Sequence, residues 1–323
     1  MKWCSADIPS QAGKLAVVTG GTSGLGFETA IGLAQAGADV IIAGRDESQG
    51  RWAVGKIRPL APQSLVRFER LDLASLAMVG DFVLRIERME RPVDLLVNNA
   101  GVMAIPKRQI TVDGFEMQLA ANYLGHFALT GHLLPLLRRG REARVVQVSS
   151  LSQRWGRIHL DDLNLTHLYG PMKAYAQSKL AALIFAVELQ RRSDAGKWRL
   201  MSVAAHPGYA RTSLFEKGPG KGSLVDAMHR RLSGWIGHSA ADGALSLLYA
   251  ATSTKVRPGE YYGPQGSFGL TGPVGVAAIG KRATGAEIAR RLWDASEKLT
   301  GFTWPTASES VEAAAAGASS VSC

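Results

Sequence analysis

Two kinds of hydrophobic run alternate along the chain. Short, nearly continuous apolar stretches rich in β-branched residues occur at KLAVVTG (14–20), ADVIIAGR (38–45), LVRFERLDL (65–73), DLLVNNAG (94–101), RVVQVSS (144–150) and LMSVAAHPG (200–208). They read as strands, with GEYYGP (259–264) as a short last one. Between them lie stretches with helical character. GTSGLGFETAIGLAQAG (21–37) is a glycine-rich turn opening a helix that Gly37 stops. WAVGKIRPLA is a helix interrupted by Gly55 and Pro59. Residues 115–137 and the segment opened by AYAQSK (174–179) predict long helices, and ADGALSLLYAATS (241–253) another. Strand cores apolar on both faces, alternating with helices, predict a parallel sheet covered on both sides: a doubly wound three-layer α/β/α sandwich. No linker or repeat divides it. One domain is expected over residues 1–305, with a disordered tail at 306–323, where ASESVEAAAAGASSVSC is small and polar.

Composition narrows the class. The 323 residues are 46% hydrophobic, enough for one large core. No window reaches the apolar length of a membrane span, and MKWCSADIPSQAGK lacks an apolar signal core, so nothing in it predicts secretion. Two cysteines, Cys4 and Cys323, form no disulfide framework, and a reducing cytoplasm is the expected location. The net charge of +10 comes from scattered pairs such as Arg138-Arg139 and Arg191-Arg192, without a basic run interleaved with aromatics. That pattern argues against nucleic acid and suits attraction of a polyanionic cofactor. The histidines show no metal-ligand spacing, and no G-x-S-x-G elbow marks a hydrolase.

The candidate chemistry begins after the first strand, at Thr19-Gly20-Gly21-Thr22-Ser23-Gly24-Leu25-Gly26. In a doubly wound fold a dinucleotide's diphosphate binds at this junction, on a helix N-terminus that glycines leave open to close approach. The Gly-x3-Gly-x-Gly spacing is not the common fingerprint, and a plain tight turn is the alternative. At the end of the second strand, an acid would accept the ribose 2′-hydroxyl of NAD and an arginine would hold the 2′-phosphate of NADP. Here Gly44 stands in the acid's place and Arg45 follows, which points to NADP(H). Asp46 is the competing acid.

The motifs TGGTSGLG (19–26), Asp72, NNAG (98–101), Asn122 in ANYLGHF, VSS (148–150), Tyr175 and Lys179 at Tyr-x3-Lys spacing, and Pro207-Gly208 followed by Thr212 fall in a specific order. Over roughly residues 13–265 the chain resembles the short-chain dehydrogenases/reductases, a Rossmann-type family. Within it, AYAQSKLA, VSSLSQRWGRI and AHPG are similar to the retinol-dehydrogenase-like branch. The resemblance implies Tyr175 as general acid/base, Lys179 on the nicotinamide ribose, Ser150 on the reacting oxygen, and Asn122 holding a relay water. It implies cofactor contacts from Gly20, Thr22, Ser23, Gly24, Leu25 and Gly26 of the loop, from Arg45, Asp72 and Leu73, from Asn99, Ala100 and Gly101, and from Pro207, Gly208 and Thr212. Ser152 is an alternative to Ser150. The gap from Ser150 to Tyr175 is longer than usual in the family; the extra residues around RIHLDDLNLTHLYGP resemble an insertion of this branch.

Tyr175 and Lys179 lie one helical turn apart on one face. Bringing a phenol from about 10 to near neutrality takes about 4 kcal/mol. A lysine charge about 5 Å away at an effective dielectric of about 20 supplies roughly 3 kcal/mol. The positive charge of an oxidised nicotinamide is expected to supply the rest.

Residues 213–237 are expected to cover the active site. Leu224, Met228, Leu232, Trp235 and Ile236 form a helical stripe that suits burial on the body, a lid over a lipophilic substrate, or, with Arg230 and Arg231, a membrane surface. The two long helices are apolar nearly all round. A second subunit, giving a homo-oligomer, and the chain's own C-terminal part are equally good covers. The expected function is NADP(H)-dependent interconversion of a carbonyl and an alcohol on a bulky small molecule. The rival is an NADP(H)-binding sensor or scaffold without turnover.

Overall fold

The computed structural model describes residues 2–209 and 238–306. Eight strands form one sheet: β1 (Leu15–Thr19), β2 (Asp39–Gly44), β3 (Val66–Arg70), β4 (Leu95–Asn98), β5 (Arg144–Val148), β6 (Met201–Ala205), β7 (Tyr261–Pro264) and β8 (Val274–Val276). Their order is β3-β2-β1-β4-β5-β6-β7-β8. The ladder is parallel up to β7, and β8 returns antiparallel along that edge. The order in which strands are added reverses beside β1, whose neighbours are β2 and β4, so a crevice opens at the carboxyl ends of these parallel strands.

Alternate residues of each strand enter different cores. Val17, Ile41, Leu96 and Val145 face one side with α3 (Leu76–Glu87), α5 (Gly125–His132) and α7 (Pro171–Gly196). Ala16, Val18, Val40, Ile42 and Val97 face the other with α1 (Gly24–Gln35), α2 (Glu47–Ile57) and the helix Ala240–Thr252. Burying each Val or Ile side chain stabilises by about 1.5–3 kcal/mol. The predicted three-layer sandwich is therefore the one formed.

The helix expected over 115–137 is broken. It runs as α4 (Met117–Leu119), a π-turn at Ala120–Leu124, α5, and α6 (Leu134–Leu137). Pro135, in the first turn of α6, lacks the amide hydrogen needed for continuity. A Cβ on Gly125 would collide with the carbonyl of Leu73, so glycine there lets the helix rest on the loop after β3. The long helix is α7, which begins at Pro171 and extends to Gly196, beyond the apolar run that marks it in the sequence. β8, α3 and the helix Ala286–Thr300 are additions to the sequence-based reading.

The C-terminal helix settles what covers the second face of α5 and α7. Phe127 lies 5.0 Å from Trp293 and 5.6 Å from Trp304, and Phe185 lies 5.8 Å and 6.1 Å from the same two rings. The Tyr123 hydroxyl meets Ser296 Oγ at 2.7 Å. Among the two covers expected, the chain's own C-terminal part occupies this face. The stripe at 213–237 and the tail from 307 lie outside the described residues.

Candidate active site

β1 runs out at Thr19, and Gly20 turns the chain with φ +66°. A Cβ on Gly20 would stand 2.9 Å from the Cα of Ala100, and one on Gly26 would overlap the Asn99 amide and the Gly20 carbonyl. The glycines thus let the loop lie directly against the end of β4. Asn99 Nδ2 donates to the Thr19 carbonyl at 2.8 Å and locks the two loops together. α1 then opens at Gly24, with no side-chain cap from Ser23. Its first amides are the donors that a diphosphate needs. Thr22 and Ser23 lie in the turn itself, and Leu25 in the first turn of α1.

Gly44 ends β2 beside this loop, where a Cβ would be 3.2 Å from Thr22 Cγ2. Arg45 follows, exposed. Asp46 Oδ1 accepts from Ser48 N at 2.8 Å and Gln49 N at 3.0 Å, so it caps α2. Asp72 Oδ1 accepts from Ala74 N, shaping the loop that carries Leu73 past the crevice.

Asn122 lies in the π-turn and is buried, as residues at such bulges often are when a site needs them. Its amide pairs with the Val102 backbone in both directions, at 2.7 Å and 2.9 Å, and Nδ2 also donates to Ser178 Oγ at 2.8 Å. Gly101 leaves room for this, since a Cβ would lie 2.8 Å from Asn122 Oδ1 and 3.5 Å from Lys179 Nζ. Lys179 Nζ donates to the Val148 carbonyl at 3.0 Å and stands 5.9 Å from the Tyr175 ring centroid. Tyr175 packs on Met103 and Ala104, and its hydroxyl is close enough to the Ser150 side chain for that group to ease its ionisation. Ser150 also caps the short turn Leu151–Trp155 through Ser152 N. Asn122, Ser150, Tyr175 and Lys179 therefore converge beside the glycine loop. Ser149 is turned inward, donating to the Lys179 carbonyl at 2.7 Å, and Ser152 Oγ is buried without a hydrogen-bond partner.

Electrostatics corrects one expectation. Burial pushes the Tyr175 phenol up to about 12, partly offset by Ser150, and brings the Lys179 ammonium down to about 8. The lysine has thus lost its charge before the phenol titrates, and in the chain itself it does not draw Tyr175 towards neutrality.

On the far wall, Gly208 takes φ +71°, and a Cβ there would strike the Leu270 carbonyl. The Pro207 carbonyl meets His238 Nε2 at 2.6 Å. Thr212 lies outside the described residues. The extra segment before α7 is pinned to it by Gln177, which accepts from His159 N at 2.9 Å and donates to the Leu163 carbonyl at 2.8 Å.

The part played by Thr19, within the glycine loop, and the whole of that played by His126 are not apparent from the sequence pattern. Thr19 Oγ1 accepts from the backbone N–H of Asn99 at 2.9 Å and of Ala100 at 3.0 Å, and meets His126 Nε2 at 2.9 Å. The signal for His126 was its position four residues after Asn122 in ANYLGHF. Among the described residues no cluster of His, Cys, Asp and Glu could hold a metal, and no helix is long and apolar enough to cross a membrane.

A sequence profile described as short chain dehydrogenase matches residues 14–219. The chain is 40% identical to mouse polyprenol dehydrogenase over 301 residues, covering 91% of this chain and 86% of the relative. It is 37% identical to human retinol dehydrogenase 13 over 308 residues, covering 93% and 89%. A crystal structure of an uncharacterised protein from Mycobacterium paratuberculosis superimposes with a TM-score of 0.78 at 40% identity, over 94% of this chain and 100% of the other. A Burkholderia cenocepacia short chain dehydrogenase in complex with NADP superimposes with a TM-score of 0.60 at 25% identity, over 77% and 95%. Matching in profile, sequence and fold, the chain belongs to the short-chain dehydrogenase/reductase family, in its retinol-dehydrogenase-like branch, and is an oxidoreductase.

Proposed function

We propose that the protein interconverts a carbonyl and an alcohol on a bulky, lipophilic small molecule, using NADP(H), with Tyr175 as general acid/base. The observation that carries this reading is the convergence of Tyr175, Ser150, Lys179 and Asn122 beside a glycine loop built for a diphosphate. Hydride exchange with the reacting carbon is what a bound nicotinamide supplies. The rest belongs to the chain. Tyr175 and Ser150 carry adjacent hydroxyls that grip one substrate oxygen, and Tyr175 delivers or removes its proton. A phenol held near 12 is fully protonated at neutral pH, which suits donation during carbonyl reduction. Lys179 holds ribose hydroxyls and lends positive charge below about pH 8. Asn122, held by Val102 and Ser178, fixes the π-turn around a relay water.

NADP(H) is favoured because Asp46 is engaged in capping α2 while Arg45 stands exposed at the end of β2. The NADP complex of the Burkholderia relative and the polyprenol and retinol dehydrogenases among the sequence relatives support the cofactor and the lipophilic substrate.

The test is nicotinamide absorbance with NADPH and NADH against bulky aldehydes, ketones and the corresponding alcohols, beside Tyr175→Phe. Turnover with NADPH that disappears in the variant is expected. Cofactor binding without turnover on any substrate favours a sensor.

A further inference from the structure

We propose that His126 is a positioning residue that joins the cofactor loop to the π-turn carrying Asn122, held as the neutral tautomer with hydrogen on Nδ1. It is buried at 1% exposure in α5, and its two ring nitrogens face two different parts of the site. Nε2 lies 2.9 Å from Thr19 Oγ1, and Nδ1 lies 3.4 Å from the backbone carbonyl of Asn122.

Hydrogen-bond counting assigns the tautomer. A threonine hydroxyl has one hydrogen and two lone pairs. The backbone N–H groups of Asn99 and Ala100 take both lone pairs of Thr19 Oγ1. The hydroxyl hydrogen must then go outward. His126 Nε2 at 2.9 Å is the nearer acceptor, and the Val97 carbonyl at 3.3 Å is the farther one. A hydrogen on Nε2 would ask the hydroxyl to accept a third bond. So Nε2 accepts, and the ring hydrogen sits on Nδ1, aimed at the Asn122 carbonyl. A doubly protonated ring is excluded by the same count, and burial beside Lys179 holds the imidazole far below its ordinary range.

The consequence is a continuous mechanical link. Thr19 gathers the end of β1 and the Asn99-Ala100 backbone after β4, where the cofactor's adenosine side is expected. Asn122 sits in the turn beside Lys179. His126 fixes the distance between the two through one rigid ring. It touches neither substrate nor cofactor. This role builds on the proposed function, because it sets the register between cofactor and proton relay.

Two variants each keep one arm. Asparagine places an amide where Nδ1 was and keeps the bond to the Asn122 carbonyl. Glutamine reaches where Nε2 was and keeps the bond to Thr19. The experiment is 15N spectroscopy of the histidine rings in the full-length protein, with the His126 signal identified by its loss in His126→Gln. It is run beside NADPH dissociation constants and kcat for both variants. The expected ring is neutral with hydrogen on Nδ1. His126→Gln should keep NADPH affinity within about threefold while kcat falls about tenfold to a hundredfold, and His126→Asn should weaken NADPH about tenfold. A ring protonated on Nε2 overturns the proposal. So do variants whose affinity and turnover both stay within about threefold of the parent, or fall together in both variants, as expected of a simple core filler. If the parent turns over no substrate, the proposed function fails, while the ring spectrum and the NADPH affinities still decide the role of His126.

Discussion

Acidification from about pH 7.5 to about pH 5 is expected to remove about 4 kcal/mol of folding free energy through two histidines. His126 and His206 are each 1% exposed, and burial brings their pKa values down to about 3 and about 4. Neighbouring positive charge adds to this, from Lys179 at His126 and from Arg154 at His206. Their rings are committed as neutral hydrogen-bonding groups: His126 between Thr19 and Asn122, and His206 through Nδ1, which accepts from Gly208 N at 3.2 Å. The sign follows from proton counting. In the unfolded chain each ring titrates near 6.5, and in the folded chain each stays unprotonated until far lower pH. The unfolded state therefore binds more protons below about 6.5, and stability that is complete above that value is lost as pH falls towards the folded pKa values. Each ring contributes about 1.4 kcal/mol per pH unit in that window, or about 2 kcal/mol at pH 5. Because both rings are 1% exposed, solvent screening takes little from this. Urea unfolding at a series of pH values reads the slope directly. His126→Gln should remove about half of it by deleting one proton-binding site. A stability that changes by less than about 1 kcal/mol across the window, or a slope unchanged in the variant, refutes the reasoning.

Arg45→Asp should raise the KM for NADPH by about tenfold to a hundredfold and bring NADH to equal or better use, measured by initial rates with both cofactors. Gly26→Ala would drive a methyl into the Asn99 amide and the Gly20 carbonyl; it should cost about 1–3 kcal/mol and weaken cofactor binding, seen by denaturation and by fluorescence titration. Trp293→Ala removes a fully buried ring that lies between Phe127, Phe185 and Trp304, with Arg192 stacked 4.1 Å from its centroid. A loss of about 3–5 kcal/mol in urea unfolding is expected, with NADPH affinity preserved at low denaturant.

The strands and the glycine loop were legible because each depends on local pattern, whereas Asn122 and Ser150 came into view only through the family resemblance. β-branched runs mark buried parallel strands, and Tyr175 and Lys179 share a helix face by spacing alone. What stayed hidden depends on tertiary environment. The π-turn at Asn122 arises where Gly125 must rest on the Leu73 carbonyl, which no helical periodicity reveals. β8 is three residues long and exists only because β7 offers an edge. Helix Ala286–Thr300 is charged on its outer face, and its buried Leu292 and Trp293 gain meaning only against Phe127 and Phe185. The ionisation of Tyr175 in the chain itself also depends on tertiary environment, because burial of both partners outweighs the attraction that their spacing suggests.

The aromatic cover has a consequence during synthesis. The strands of the catalytic half and the helices bearing Tyr123, Phe127 and Phe185 leave the ribosome long before Trp293 and Trp304 exist. Until the last helix emerges, α5 and α7 carry a greasy, unpaired flank. Completion of the fold is thereby coupled to completion of translation. A chain stopped short of residue 293 would present that flank to chaperones and to other nascent copies, so truncation would be answered by aggregation or degradation rather than by a weakened enzyme.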